Sequence, residues 1–337
     1  MKNSITTVIL LLSFTFLQAQ STVKEYVQEG IEYHDDGQYA KAIKSYKKAL
    51  EIEPNSPMVN YEISLSYFSN GDYENAIKYA DVVLKQKSDY KTHAYITKGS
   101  ALDMMGKTKE SIKLFEKAIK KSDGNYLLYY NLAVNYIKLN EIEKAESNLF
   151  KAVEDNPNHA SSHLMIASIE DFNGHTVQAV LASNYFLFLE PNSSRSSAGY
   201  ELLMKNFGGN VSVDQDDPNT INITLGALSG SEFGSAELML SMLVASQNIE
   251  ENKGKTEDQL FMENTESFFT VLGELHNEDK KGVWWDLYTP FFYDVAKSDY
   301  IETYCKYITQ SVNENSVKWL DENENMMTEF EIWLKSH

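Results

Sequence analysis

A repeat of about 34 residues constrains this sequence more than any other feature. Five turn positions, Gly37, Gly71, Gly106, Asn140 and Gly174, follow one another at spacings of 34, 35, 34 and 34 residues. Glycine and asparagine tolerate the positive φ that a tight turn between two helices requires. Self-similarity at this period is typical of solenoids in which each repeat is one pair of helices.

Small side chains recur at fixed distances from these turns, where the two helices of a pair would cross. Five positions after each turn stand Ala42, Ala76, Ser111, Ala145 and Ala179. Seven positions further on stand Ala49, Val83, Ala118 and Ala152, with Phe186 as the exception in the fifth repeat. Each repeat then closes with a helix-stop pair: Pro54-Asn55, Ser88-Asp89, Asp123-Gly124, Pro157-Asn158 and Pro191-Asn192.

This pattern resembles the tetratricopeptide repeat family over about residues 22–194. The first repeat matches the family's signature places with Gly30, Tyr33, Gly37, Ala42, Tyr46, Ala49 and Pro54. Its bulky first residue is Tyr26 rather than Trp, and later repeats match less fully, with Ser64, Ala80 and Glu170 departing from the pattern. The resemblance implies an all-α, right-handed helical-repeat solenoid of five helix pairs, at about 22–56, 57–91, 92–125, 126–159 and 160–194.

The resemblance also implies that the first helix of each pair lines a concave groove that binds a peptide. The places expected to contact the partner are Val27, Ile31, Tyr61, Leu65, Phe68, Ile96, Tyr130, Val134 and Leu164. The Lys, Arg and Asn residues with which some family members bind a terminal carboxylate are absent from the fifth and ninth places. The sequence therefore predicts an apolar, tyrosine-lined groove that suits a hydrophobic or aromatic segment of a protein partner.

Such a long apolar surface is unusual if it is left open to water. Two alternatives follow for what covers it. Either a partner protein binds in the groove, or the C-terminal region of the same chain folds back over it.

The N-terminus has the pattern of a secretory signal peptide. Lys2 precedes a mostly apolar run from Ile5 to Leu17, and Ala19 is a small residue at the expected cleavage site. Residues 1–19 are therefore predicted to be removed, and no cysteine follows the run to carry a lipid anchor. We expect a periplasmic or secreted protein. Cys305 is the one cysteine, so an intramolecular disulfide is excluded and a buried position is expected.

The formal net charge of −19 is concentrated in the C-terminal part of the chain. Residues 21–194 carry 19 Lys and Arg against 24 Asp and Glu, whereas residues 195–337 carry 10 against 25. An acidic surface repels nucleic acid and anionic membranes, so neither is an expected partner.

Beyond the repeats, residues 195–234 are predicted as a connector and residues 235–337 as an acidic helical domain of no recognised family. Helices are expected at about 235–248, 257–276, 283–297, 299–313 and 315–335. The densest aromatic run of the chain invites two interpretations: a hydrophobic core, or a second recognition surface made by Trp284, Trp285, Tyr288 and Phe291.

Catalytic and metal-binding patterns are weak in this sequence. His159 and His163 stand four apart without the intervening Glu of a zinc protease, so a surface pair is expected. His276 lies near Glu278 and Asp286 with no second ligand to complete a site. The predicted function is a non-enzymatic interaction scaffold without cofactor or metal. The alternatives are a hydrolase-like or carbohydrate-active C-terminal domain with the repeats as docking arm, and a structural homo-oligomer.

Overall fold

The computed structural model of the chain describes residues 22–121, 124–208, 211–213, 220–223, 232–246, 252 and 254–336. The predicted signal peptide lies outside these residues. The chain divides into two compact units, with the boundary between Asn148 and Leu149. We refer to them as unit 1 and unit 2. This boundary lies within the fourth predicted repeat, 126–159.

Unit 1 is built from helix pairs. Its helices are α1 (22–35), α2 (Tyr39–Ile52), α3 (Pro57–Ser69), α4 (Tyr73–Leu84), α5 (Lys91–Met104), α6 (Thr108–Lys121), α7 (Tyr126–Lys138) and the first half of α8 (Ile142–Asp155). The four turns between paired helices each place their predicted residue at positive φ: 72° at Gly37, 80° at Gly71, 76° at Gly106 and 58° at Asn140. The predicted turn chemistry is confirmed.

Close packing explains the recurrence of small residues. Ala76 and Ala118 are completely buried where helices meet. At Gly30 a Cβ atom would lie only 2.4 Å from the Tyr46 ring, and at Gly99 only 2.1 Å from the Phe115 ring. Because glycine leaves room for these rings, an aromatic residue of the second helix packs directly on the backbone of the first.

Unit 2 continues with the fifth helix pair, α9 (Ala160–Asn173) and α10 (Thr176–Leu189), joined at Gly174, whose φ is 75°. Helix α11 (Ser196–Gly208) follows, and strands β1 (Val211–Val213) and β2 (Ile221–Ile223) pair antiparallel. The remaining helices are α12 (Gly234–Ser246), α13 (Glu257–Glu274), α14 (Thr289–Lys297), α15 (Ile301–Thr309), α16 (Glu314–Glu322) and α17 (Glu324–Leu334). A π-helical turn, Trp284–Tyr288, leads into α14.

Helix α11 occupies the first part of the predicted connector and packs against α10. A Cβ atom at Gly199 would lie 2.4 Å from the Phe186 ring. Phe186 breaks the small-residue pattern of the repeats, and Gly199 supplies the space that it needs. The helix stop at Pro191-Asn192 therefore ends α10, but the next helix, α11, continues the packing.

The core of unit 2 surrounds α10, in which Val177 and every residue from Ala179 to Leu187 are buried. Helices α9, α11 and α15 and the π-helical turn all pack against it. A helix that is apolar on every face must be enclosed by other elements, and the C-terminal helices enclose this one.

The final predicted helix, 315–335, is two helices. They meet at Asn323, where φ is −124° and ψ is 39°. The Nδ2 group of Asn323 donates a hydrogen bond to the carbonyl of Trp319 at 2.8 Å, which is how an amide side chain competes with helix propagation. No helix among the described residues is long and apolar enough to cross a bilayer.

Candidate interaction surface

A row of half-buried apolar side chains follows one face of α3. Tyr61, Leu65 and Phe68 stand at i, i+4 and i+7, the spacing that places side chains along one helix face. Their neighbours Ile63 and Tyr67 point into the core and are buried. The predicted groove residues of this helix therefore keep part of their apolar surface accessible.

The same arrangement recurs on α5 and α7. Ile96, Tyr130 and Val134 are half-buried, and α5 packs against both α3 and α7. The first helices of successive repeats thus form one layer in unit 1. This layer carries the predicted contact residues of α3, α5 and α7.

The predicted groove residues of α1 differ in accessibility. Ile31 is half-buried, whereas Val27 is only 6% exposed and belongs to the core. Val27 therefore offers little area to a partner, in contrast to the prediction. It lines a shallow concavity of about 680 Å³ together with Val23 and several polar and charged side chains of α1 and with Met58 of α3.

Tyr61 is held by aromatic neighbours. Its ring centroid lies 5.6 Å from that of Tyr90 and 5.5 Å from that of His93. Burial, together with the nearby Glu62 carboxyl, raises the pKa of Tyr61. The phenol therefore stays protonated at neutral pH and can donate a hydrogen bond beside an apolar ring.

In unit 2 the predicted groove residue is Leu164 on α9, and it is half-buried. Further along the same helix Ser168 is exposed, and Phe172 is 78% exposed. The C-terminal helices pack mainly on α10 rather than on this side of α9. In the fifth repeat, the C-terminal region thus covers the second helix, α10, and leaves the end of the first helix, α9, accessible.

The predicted second recognition surface needs correction. Trp285 and Tyr288 have no exposed surface, so neither is available to a partner. Trp285 stacks on Phe233 at 4.8 Å, and its Nε1 group donates a hydrogen bond to Glu232 at 2.8 Å. For these two residues the structure matches the alternative interpretation, a hydrophobic core.

The other two residues of that surface, Trp284 and Phe291, are half-buried. Phe291 packs 5.0 Å from Tyr185 and 4.9 Å from Phe188, both on α10. Trp284 and Phe291 therefore lie at the edge of the core of unit 2.

His163 is a buried structural residue, so the predicted surface pair with His159 is wrong. Its Nε2 atom lies 2.8 Å from the carbonyl of Pro157, and its Nδ1 atom lies 2.7 Å from the hydroxyl of Tyr288. Because a carbonyl only accepts, Nε2 carries the proton and Nδ1 accepts from the tyrosine. Burial lowers the pKa of His163 to about 4. Both ring nitrogens are used, which leaves no lone pair for a metal.

The charged loop around His276 has local structural contacts. The amide of Gly282 donates a hydrogen bond to Asp286 at 2.7 Å, and the exposed His276 ring stacks 6.0 Å from Trp285. Within the described residues, no group of three or more His, Cys, Asp or Glu side chains is arranged to hold a metal ion.

The fold and this surface define a helical-repeat protein of the solenoid class. Family models described as tetratricopeptide or TPR repeats match residues 30–71, 59–89 and 104–169, and the C-terminal region matches no family model. Photosystem I assembly protein Ycf3 of Rippkaea orientalis is 30% identical over 130 residues, which are 33% of this chain and 75% of that protein.

A TPR repeat-containing protein of Methanocaldococcus jannaschii is 30% identical over 131 residues, which are 38% of this chain and only 22% of that protein. A solved structure, that of a thermophilic TPR protein from Thermus thermophilus, superposes with a TM-score of 0.47 at 15% identity, covering 54% of this chain and 99% of the other. The chain belongs to the tetratricopeptide repeat family, whose proteins act as interaction scaffolds.

Proposed function

We propose that this protein is an exported, non-enzymatic scaffold that binds an apolar or aromatic segment of a partner protein on the first-helix layer of its repeats. The contact residues would be those of α3, α5 and α7, with Tyr61, Leu65 and Tyr130 at the centre. Leu164 of unit 2 would belong to the same class of contact.

One observation carries this proposal. Three adjacent helices each present half-exposed apolar side chains on one face, while their other apolar residues are buried. Burial of such side chains stabilises a complex by about 25 cal/mol for each Å² of apolar area removed from water. Tyrosine is a common hot-spot residue because its ring supplies area and its hydroxyl a hydrogen bond.

The proposal is tested by affinity capture from an exported-protein fraction with the full chain as bait. We expect the Tyr61→Ala, Tyr130→Ala double variant to lose a partner that the wild type retains, since truncation of a hot-spot residue costs about 2 kcal/mol or more. The matched control is Tyr39→Ala, Tyr79→Ala, which removes two tyrosines from the second helices α2 and α4. Equal capture by both double variants would refute a role for the first-helix layer.

Export is supported by the N-terminal sequence pattern. N-terminal sequencing of the protein recovered outside the cytoplasm is expected to begin at Gln20. A mature protein that still begins at Met1 would contradict export through a cleaved signal peptide.

A further inference from the structure

A concavity lies on the surface of unit 2 between its last three helices, and we call it the C-terminal concavity. Its volume is about 430 Å³, and its lining comes from α16, α17 and the end of α15. Tyr307, Leu320 and Met327 provide its apolar lining, and all three are half-buried. A bound molecule would therefore find apolar surface that is still accessible.

Two carboxylates line the same concavity. They belong to Asp321 and Glu324, and both side chains are exposed. The two lysines of these three helices, Lys306 and Lys318, pair with other carboxylates at 2.7 and 3.8 Å. Over residues 314–335 six Asp and Glu stand against two Lys. The C-terminal concavity therefore combines an apolar lining with uncompensated negative charge.

Exposed apolar side chains accompany the lining residues on both of the last helices. Val317 is 40% exposed and precedes Asp321 by one turn of α16. Ile332 is 61% exposed and follows Thr328, another lining residue, by one turn of α17. The accessible apolar area is thus larger than the concavity itself.

The last two helices bury little of their own surface. Ser316 is the buried residue of α16, and Phe330 is the buried residue of α17. Most apolar side chains of these helices therefore remain available for contact with another molecule.

The charge of this surface selects among possible occupants. A second copy of the chain would bring carboxylates against carboxylates, which is unfavourable. A Lys or Arg side chain instead could place its aliphatic stem on Leu320 and Met327 and its charged end near Asp321 and Glu324. The exposed apolar residues beyond the concavity suit a peptide segment, since a small free amine would leave them uncovered.

We propose that the C-terminal concavity is a docking site for a basic, amphipathic segment of a partner protein, and that it takes one Lys or Arg side chain of that segment. This site goes beyond the proposed function, because it uses none of the first-helix residues of unit 1.

The test uses display of random 16-residue peptides on the immobilised full chain carrying Tyr61→Ala and Tyr130→Ala, so that binding to the first-helix layer is weakened in advance. We expect the selected peptides to share a Lys or Arg with apolar residues on either side. Adding Asp321→Asn and Glu324→Gln to the bait should weaken their binding on the order of tenfold. Charge reversal by Asp321→Lys and Glu324→Lys should select peptides with Asp or Glu at that place instead.

The matched control adds Glu322→Gln and Glu329→Gln, which remove the same charge from the same two helices at positions outside the lining. This control should bind the selected peptides as the parent bait does. Equal weakening by both pairs of substitutions would show attraction to the acidic surface in general and would refute the docking site. The site is also refuted if no peptide is selected, if the selected peptides lack a basic residue, or if the charge-reversed bait still selects basic peptides.

Discussion

The second helices of the repeats differ between the two units. In unit 1, α6 buries Ser111, Ile112, Phe115 and Ala118 and exposes Glu110 and its lysines. In unit 2, α10 contains no charged residue and is buried on all sides. The same repeat motif thus serves as a half-solvated layer in one unit and as the centre of a globular core in the other.

This difference bears on function. Unit 2 uses the aromatic residues of its C-terminal helices to enclose α10, so their apolar area is not available to a partner. Unit 1 keeps apolar area accessible on its first helices. A shared repeat motif therefore does not imply a shared role, and the surface that remains accessible decides where a partner can bind.

The largest expected effect is a loss of stability in unit 2 that leaves unit 1 unchanged. Phe292 is fully buried and stacks on Phe269 at 4.4 Å, so Phe292→Ala should cost about 3–5 kcal/mol. All four tryptophans of the chain lie in unit 2, so urea unfolding followed by tryptophan fluorescence reports on that unit. The urea midpoint should fall, while amide hydrogen exchange of α3 to α6 should stay unchanged.

Phe115→Ala is the reciprocal variant in unit 1, because Phe115 is 1% exposed. It should accelerate amide exchange in α5 and α6 and leave the tryptophan midpoint unchanged. If either variant affected both units equally, the division into two separate cores would be contradicted.

The next effect is a pH dependence of the stability of unit 2, caused by His163. Its pKa of about 4 lies below the ordinary value of 6.5, so the unfolded chain binds a proton first as the pH falls. Stability should therefore be lost between pH 6.5 and pH 4, by about 2 kcal/mol at pH 4.5. In His163→Gln the difference in unfolding free energy between pH 7 and pH 4.5 should shrink by that amount.

His93→Gln is the control for this measurement, since His93 is exposed. An unchanged acid dependence in His163→Gln would show that folding does not lower the pKa of His163.

A smaller effect concerns the contact between α11 and α10. Gly199→Ala places a methyl group against the Phe186 ring and should destabilise unit 2 by about 1–3 kcal/mol through overpacking. At an exposed helix position the same change would stabilise the protein by up to about 1 kcal/mol. The sign of the change in unfolding free energy therefore shows whether the added methyl group is crowded by Phe186.

Phe186→Leu should partly rescue Gly199→Ala, giving less destabilisation in the double variant than the sum of the single variants. Strictly additive effects would show that the two side chains do not share this space.

The smallest expected effect concerns Glu62 on α3 of unit 1. The folded-state pKa of Glu62 is raised, so its charge is unfavourable in the folded protein above that pKa. Glu62→Gln should therefore stabilise unit 1 at pH 7, by no more than about 1 kcal/mol because the group is partly solvated. The gain should disappear below about pH 4, where the carboxyl is neutral in both states. Amide exchange of α2 to α4 measures it, with Glu51→Gln as control.

The repeat turns were predictable because their chemistry is local. A positive φ selects glycine or asparagine wherever it occurs, and all five positions follow that rule. The spacing of the repeats also predicted which first-helix positions keep accessible apolar area. Val27 is the exception, because it is buried in the core.

The remaining features depend on contacts between distant residues. The environment of His163 is set by Tyr288, which is 125 positions away, and no local pattern specifies that pairing. Helix α11 was hidden because Pro191-Asn192 resembles the end of the repeats. The absence of charge in α10 was a usable signal, since a second helix without a polar face predicts that other elements cover it.

The most direct test of the account is site-specific photo-cross-linking with benzoylphenylalanine in the full chain. Placed at Leu65 or Val134, on the first helices of unit 1, the probe should form an adduct with the captured partner. Placed at the exposed second-helix positions Lys44 or Lys117, it should form none. Adducts from positions 44 and 117 but not from 65 and 134 would contradict the claim that the first-helix layer is the binding surface.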